Sequence, residues 1–382
     1  MKKICYITTV PSTLNRFVLE SAKYMQQHGK YDITFISSYD ENFEKKFASD
    51  VKYIPVSMKR GVSFEGVRVI LQLYKIFKKE KYDIIQYSTP NASCYASIAA
   101  FFAGTKIRIY CQWGIVYVGF KGIKRKVFKL LEKLVCKLST NIQPDSRGNL
   151  LFSFSEKLYT EKKGAVIWNG SACGVDLKKF NIVKKDEWRK EIRSKYEINQ
   201  EALVFGFVGR LTRDKGINEL FYAAKEILQN NKNIYFLLIG SDEGIHTLNH
   251  ELIAWAQACE NVIFCGKTEE VEKYYCAMDM LVLPSYREGF GSVVIEAESM
   301  GVPVIVSDIP GPTDAMLRNI TGVVVKKADA NDLYQTMQNC IAGREKLQEM
   351  SLAAYKYATE NFKSQQLFQY ILENRNSLLK SK

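Results

Sequence analysis

The sequence predicts an α/β protein made of two doubly wound, Rossmann-like parallel-sheet domains. Three observations carry this. Short apolar runs alternate with amphipathic helical stripes from the first residues onward, which is the βαβ rhythm of a parallel sheet. The rhythm pauses at a polar, lysine-rich stretch, 178–200, and then restarts. The chain has 382 residues, 47% of them hydrophobic, which is long for one core and comfortable for two. The expected layout is an N-terminal domain over 1–177, a linker over 178–200 and a C-terminal domain over 201–361.

The first half supplies strands at Lys3–Thr8, Tyr31–Ser37, Tyr82–Tyr87 and Lys106–Cys111. Between them, Leu14, Phe17, Val18, Ser21, Ala22 and Met25 form a helical stripe stopped by Gly29, and helices are expected at Phe64–Lys79 and Ala92–Ala103. Ligands of such sheets bind beyond the C-terminal strand ends, which directs attention to the loops Thr9–Thr13, Ser88–Asn91 and Gln112–Gly119. Ala165–Trp168 is expected to be a strand ending in the turn Asn169-Gly170. In the second half, strands are expected at Leu203–Val208, Ile234–Gly240, Val262–Cys265, Met280–Leu283 and Val304–Ser307. Helices fall between and after them, at Ile217–Gln229, Thr247–Cys259, Glu269–Met278, Asn331–Ala342 and Glu345–Asn361. Two similar halves imply a cleft, and a cleft is where a substrate binds.

The most informative stretch is Pro284–Glu296. The apolar strand before it runs into a turn holding Gly289 and Gly291, and a helix opens at Ser292. The free N–H groups and positive dipole end of that helix suit a phosphate. Glu288 precedes the helix and Glu296 lies within it, so one carboxylate can face a sugar and the other a ribose. Gly209, Arg210 and Lys215 follow the first strand of the second half. An arginine fork and a lysine point charge there can hold a diphosphate and stabilise it as it leaves.

Several classes are disfavoured. No G-x-x-x-x-G-K-[ST] loop is present, and the first βα turn, Thr8–Leu14, lacks G-x-G-x-x-G. No D-x-D pair occurs, so no metal is expected to bridge a diphosphate, and the cationic loop would take its place. His28, His246 and His250 do not form a metal cluster. The nine cysteines, none in a C-x-x-C pair, are expected to be reduced and mostly buried, as in a cytosolic protein. No run reaches the ~18 apolar residues of a membrane span. Lys2 and Lys3 before Ile4–Val10 imitate a signal peptide, but Pro11 follows at once and a first strand fits better.

The chain carries a net charge of +13, which asks for an anionic partner: nucleic acid, membrane or phosphorylated substrate. The charge is dense in Lys121–Leu138, where Lys121, Lys124, Arg125, Lys126, Lys129, Lys133 and Lys137 face Glu132 alone. Val127, Leu130, Leu131, Leu134, Val135 and Leu138 share one face of the same helix. A basic amphipathic helix docks on an anionic membrane, at ~1 kcal/mol per cation, or packs its apolar face on the sheet, and the two are compatible. Lys121, Lys124, Arg125, Lys126 and Lys129 are the expected membrane-facing set.

The ordered motifs G-F-V-G-R-L-T-R-D-K-G-I (206–217), P-S-Y-R-E-G-F-G-S-V-V-I-E (284–296), G-V-P-V-I-V-S-D-I-P-G (301–311) and T-G (321–322) resemble those of the retaining GT-B glycosyltransferases with the E-x7-E signature, family 4. N-G…G-V-D-L-K-K-F (169–180) resembles that family's hinge, and the likeness runs nearly end to end. It implies a nucleotide sugar, a UDP-sugar in the first instance, bound mainly to the second domain, with retention of anomeric configuration and no metal. Arg210 and Lys215 would hold the diphosphate, Glu288 the donor sugar and Glu296 the ribose. Gly209 and the backbone of Gly289, Phe290, Gly291 and Ser292 would approach sugar and phosphate, and Lys267 and Thr268 the base. The last helix, 362–382, would cross back to the first domain.

The first half departs from the family's pattern. Thr9-Val10-Pro11-Ser12-Thr13 stands where a Gly-Gly loop is common, and Trp113-Gly114 where His-Gly is common. Ser12, Thr13, Trp113, Gly114 and Tyr117 are therefore the acceptor-side candidates, with Trp113 stacking on a sugar or packing in the core. The stretch Q-W-G-I-V-Y-V-G-F-K-G-I-K-R-K resembles capsule and O-antigen transferases that use polyprenyl-diphosphate-linked sugars. The expected partners are a nucleotide sugar, such a lipid-linked acceptor and the inner membrane surface, with no nucleic acid. Two other readings remain: a GT-B-fold sugar-nucleotide epimerase, which needs acid/base carboxylates and a histidine in the cleft, for which His28, His246 and His250 are poorly placed, and a basic nucleic-acid-binding protein, against which the absence of a recognised module argues.

Overall fold

A computed structural model of the chain describes residues 1–47, 51–58 and 65–381. They divide into two units, Met1–Cys173 with Ser364–Lys382, and Gly174–Lys363. The first holds β1 (Lys2–Ile7), β2 (Tyr31–Ser37), β3 (Lys52–Pro55), β4 (Ile84–Tyr87), β5 (Ile107–Gln112) and β6 (Asn141–Pro144), in the order β3-β2-β1-β4-β5-β6. The second holds β7 (Leu203–Val208), β8 (Ile234–Ile239), β9 (Val262–Gly266), β10 (Met280–Leu283), β11 (Val304–Ser307) and β12 (Gly322–Val325), in the order β12-β11-β10-β7-β8-β9. Every pairing in both sheets is parallel.

Helices cover both faces of each sheet, so the central strands are apolar without alternation. β4, β10 and β11 are buried at every residue. The core of the second unit gathers Phe205, Phe207, Phe221 and Phe236 with Val282 and Ile305. In the first unit Cys5 and Ile7 face one cluster and Ile4 and Tyr6 the other, the two-residue period of a strand between two layers.

The segment 178–200 is not a linker. It forms a helix, Lys185–Lys195, that buries Trp188, Ile192 and Arg193 on the second unit. Arg193 is 0% exposed. Its Nε and Nη2 donate to Ala277 O, its Nη1 to Gln200 O and Ala202 O, and Nη2 also reaches Asp279 Oδ2 (2.8 Å). High charge hides a one-turn apolar pair, Trp188 and Ile192, and a cation that serves as an anchor. The second unit therefore begins at Gly174.

Ala165–Trp168 is not a strand either. The chain meets β6 through a single bridge, Ile142 to Gly164, flanked by Ile142 N–H to Lys163 O and Ala165 N–H to Ile142 O. Trp168 then turns away with φ 51°. The edge strands β3, β6 and β12 and the helix Arg147–Ser155 are additions to the expected set. K-Y-I-P and N-I-Q-P are too short and polar to stand out. Phe64, the expected start of the helix before β4, lies outside the described residues, and the helix is described over Glu65–Glu80.

Glu298 is a cost built into the helix Ser292–Ser299. It is 0% exposed, and the Thr321 hydroxyl meets its carboxyl too weakly to offset that burial. Burial pushes its pKa well above the ordinary value, so the folded state holds a proton that the unfolded chain releases above ~pH 4.3. Stability is then lost as pH rises from that value through the folded pKa. Glu298→Gln is expected to raise Tm relative to the parent, by about 2–4 °C or more at pH 8 and less at pH 5. Calorimetry at both pH values checks this, and a difference independent of pH would show that Glu298 is not held protonated.

Candidate active site

The second sheet changes direction between β7 and β10. From β7 the chain steps to β8 and β9 on one side, while β10 leads to β11 and β12 on the other. The loops that leave the C-terminal ends of β7 and β10 therefore diverge, and such a switch point is where open α/β sheets bind ligands. Gly209–Gly216 and Pro284–Gly291 are these loops.

Side chains tie the two loops together. Lys215 Nζ donates to Glu288 Oε1 (2.5 Å), and Ser285 Oγ donates to the same oxygen (2.8 Å). Arg287 pairs with Asp214 (3.1 Å), which also accepts from Thr212 Oγ1 (2.6 Å), and the Tyr286 N–H donates to Asp214 O. Burial pushes the Asp214 carboxyl up, but the Thr212 hydrogen bond and the charges of Arg287, Lys215 and Arg210 outweigh it and hold the group below its usual range. Gly216 permits the approach. It sits at φ 72°, and a Cβ there would lie 2.1 Å from Pro284 O, which no side chain tolerates.

Beside the pair, Gly291 in left-handed geometry (φ 82°) starts the helix Ser292–Ser299. The Val294 N–H donates to Gly291 O (2.8 Å), and the Ser292 and Val293 N–H groups have no intrahelical carbonyl to meet. Arg210 is exposed, and Lys215, Arg287, Gly289 and Ser292 are half-buried. Arg210, Arg213, Lys215 and Arg287 thus surround Asp214 and Glu288 with an excess of positive charge. A group that makes two or three hydrogen bonds to such cations gains about 1.5–3 kcal/mol from each. The arrangement can bind a diphosphate and carry its charge as a bond to it breaks.

The remaining donor-side candidates fall at different depths. Phe290 is buried against Phe362 (5.4 Å between centroids), so only its backbone is offered to a ligand. Glu296 is buried, and its Oε2 accepts from the Tyr275 hydroxyl (2.9 Å). Lys267 is exposed just after β9, and Thr268 Oγ1 accepts from the Glu270 N–H. β9 stands two strands from β7, about 10 Å, a span suited to a nucleoside laid along the sheet edge. Sequence reasoning does not single out Asp214, Ser285, Arg287 or Tyr275. The first three sit inside the two motifs: Asp214 and Arg287 pair across the two loops, and Ser285 meets Glu288 within its own.

The first sheet has its own switch point, between β1 and β4. There the Thr9 N–H donates to Thr89 Oγ1 (3.0 Å), and the two hydroxyls lie 2.8 Å apart. Thr89 has φ 69°, a strained conformation for a β-branched residue. Ser12 is exposed and Thr13 half-buried, both in the first turn of the short helix Pro11–Phe17. Trp113 is half-buried with its ring 5.4 Å from that of Phe17, and Gly114 follows at φ 98°. Tyr117 is buried, and its hydroxyl donates to Glu156 (2.9 Å), which turns it from the strand ends toward the basic helix.

That helix, Gly122–Leu138, buries only Val135 and Cys136. Ile123 (80% exposed), Val127, Leu130 (70%) and Leu134 form an outward stripe, so half of the expected core face, Val127, Leu130 and Leu134, is a surface. Its acid, Glu132, is turned inward to accept from Gln112 Nε2 (2.6 Å) and the Tyr110 hydroxyl (3.0 Å). Lys121, Lys124 and Lys126 are exposed. Lys129 and Arg125, expected to face outward, are drawn to Glu156 (2.7 and 3.7 Å) and over the Tyr117 ring. Among the described residues no helix is long and apolar enough to cross a membrane.

Residues 3–146 match the family model "Glycosyl transferase 4-like", and residues 189–357 match "Glycosyl transferases group 1". The chain is 29% identical over 351 residues to the capsular polysaccharide biosynthesis glycosyltransferase CapM of Staphylococcus aureus, covering 91% of this chain and 90% of that one. It is 26% identical over 348 residues to the UDP-Gal:alpha-D-GlcNAc-diphosphoundecaprenol alpha-1,3-galactosyltransferase of Escherichia coli, covering 88% and 87%. Among solved structures, Anabaena Alr3699/HepE in complex with UDP and glucose superposes with a TM-score of 0.80 at 17% identity, over 99% of this chain and 100% of that one. With two six-stranded parallel sheets of this topology and both motif loops in place, the chain belongs to the GT-B glycosyltransferases of the group 1, family 4 type.

Proposed function

We propose that the protein moves a hexose or N-acetylhexosamine from a UDP-sugar to a polyprenyl-diphosphate-linked saccharide, in the assembly of a surface polysaccharide such as capsule or O-antigen. The observation that carries the donor half is the Lys215–Glu288–Ser285 cluster at the β7/β10 switch point, set beside Arg210 and a helix N-terminus. Two relatives support the acceptor half: one is a capsular polysaccharide glycosyltransferase, and the other is a UDP-Gal:alpha-D-GlcNAc-diphosphoundecaprenol galactosyltransferase.

In this reading the donor diphosphate takes Lys215 and Arg210, and the amides of Gly289–Ser292 close on it. Glu288 accepts from hydroxyls of the donor sugar, with Ser285 and Lys215 already orienting its carboxylate. Glu296, oriented by Tyr275, accepts from the ribose, and Lys267 and Thr268 meet the base. An acceptor hydroxyl attacks the anomeric carbon on the face the diphosphate leaves. The carbon–oxygen bond to the β-phosphate breaks, and the departing phosphate oxygen takes the acceptor's proton. Configuration is retained without a protein nucleophile, and the cations carry the leaving charge with no divalent ion invoked.

The basic helix sets the place of action. Its outer face combines Ile123, Val127, Leu130 and Leu134 with Lys121, Lys124 and Lys126, while its acid points inward. An apolar stripe edged by cations suits shallow, reversible binding to an anionic leaflet. The enzyme would then work peripherally at the inner face of the cell membrane, where a lipid-linked acceptor resides.

UDP is expected to raise the thermal midpoint more than ADP, GDP or TDP does, by about 2.7 kcal/mol of apparent stability at a hundred times its Kd. A shift with none of them would remove the nucleotide-sugar reading. Glu288→Gln is expected to lower kcat/KM by on the order of 10–100-fold, the loss of a charged hydrogen bond, with the fold kept by circular dichroism. Near-parent turnover would take Glu288 out of the site. Exchanging Lys121, Lys124 and Lys126 for Glu is expected to weaken binding to phosphatidylglycerol vesicles by on the order of a hundredfold, at ~1 kcal/mol per cation, and sedimentation that does not change would assign the stripe to another partner.

A further inference from the structure

Three consecutive residues of the Pro284–Gly291 loop grip the Gly209–Gly216 loop and the helix that follows it. The Tyr286 hydroxyl donates to Glu219 Oε1 (2.5 Å), in the first turn of the helix Ile217–Leu228, and the Tyr286 N–H donates to Asp214 O (2.9 Å). Arg287 Nη2 donates to Asp214 Oδ2 (3.1 Å), and Glu288 Oε1 accepts from Lys215 Nζ (2.5 Å). Asp214–Arg287 and Lys215–Glu288 are therefore adjacent ion pairs, joined along both segments of chain.

A bound donor acts on the two pairs differently. On the reading above, it draws Lys215 to the diphosphate and Glu288 to the sugar hydroxyls. The contact that joins the loops in the free protein is then divided between protein and ligand. Lysine permits this, being a point charge on a flexible stem. Nothing in that reading engages Asp214 or Arg287.

An anion beside a diphosphate site repels the ligand, and the Asp214 carboxyl stays ionised one residue from Lys215. Arg287 answers that charge, so the pair adds little net field. What it adds is position. Thr212 Oγ1 fixes the carboxylate from its own loop (2.6 Å) and Arg287 meets it from the other, the two side chains of the pair being 33% and 39% exposed. The pair is thus partly withdrawn from solvent and separate from the groups that bind.

We propose that Asp214 and Arg287 are positioning residues of the donor site: their pair holds the two loops together while Lys215 and Glu288 exchange one another for the diphosphate and the sugar. This rests on the glycosyl-transfer reading above and adds to it two residues that touch no part of the donor.

Calorimetric titration of the full chain with UDP tests this, because positioning and repulsion give opposite signs. If Asp214 only repels phosphate, Asp214→Asn tightens UDP binding. If its pair positions Lys215, Asp214→Asn weakens binding by about threefold to fivefold, the upper range for a partly exposed ion pair. Arg287→Gln is expected to weaken it by about the same factor, and the double variant by no more than either single, since each removes the same contact. Asp214→Glu, which restores the charge, is expected to recover most of the loss. Asparagine keeps the size of the side chain and an acceptor for Thr212, and circular dichroism checks the fold of every variant. Binding that is tighter or unchanged in Asp214→Asn overturns the proposal, as do losses that add in the double variant, which would put Arg287 on the phosphate itself. A parent chain that binds no UDP overturns the proposed function and this inference together, whereas a parent that binds UDP leaves the variants to decide the role of the pair alone.

Discussion

The ion pair between Lys215 and Glu288 spans loops that leave neighbouring strands in opposite directions, and the organisation of the second unit's site depends on it. Neither group would hold position alone. Lysine is a flexible point charge, and a carboxylate on a glycine-rich turn has little to orient it. Together with Ser285, and with the Asp214–Arg287 pair beside it, they form a lattice of charges across the switch point. Gly216 lets the backbones approach closely enough for this. The density of charge at the site is thus a property of two loops held together.

The two switch points share a topology and differ in chemistry. At β7/β10 the loops meet through cations and carboxylates; at β1/β4 they meet through the hydroxyls of Thr9 and Thr89. A neutral hydroxyl pair brings no positive charge to offset that of a diphosphate. This asymmetry favours nucleotide binding on the second unit. The first unit has in its place the Thr9 and Thr89 hydroxyls and the half-buried ring of Trp113.

The basic helix shows how one element serves core and surface. It packs through Val135 and Cys136, hides Glu132 among Gln112 and Tyr110, and leaves apolar and cationic side chains outside. Burying a carboxylate is unfavourable unless hydrogen bonds meet it, and here two do. The result is an outer face without negative charge at its centre. Glu156 then claims Lys129 and, less closely, Arg125, which narrows the free cations to the first turns and beyond.

Patterns that repeat at short range are legible in the chain alone. Strand runs such as Leu203–Val208, helical stripes such as Ile217–Leu228 and the two motif loops with Arg210, Lys215, Glu288 and Glu296 belong here, because their signals lie within a few residues and parallel sheets give strong apolar periodicity. Residues whose role depends on distant partners are not legible in this way. Arg193 reads as a linker charge until Ala277 and Asp279 meet it, Asp214 and Arg287 are surface polar residues until their loops are neighbours, and Arg375 is one more cation until the last helix joins the first unit. Folding also selects which face of the basic helix is buried, since an apolar stripe alone does not say what covers it. The physical reason is common to all of them. Local propensity and periodicity are written in the chain, whereas charge pairing, burial and cavity lining arise only when segments far apart in sequence are brought within a few ångströms.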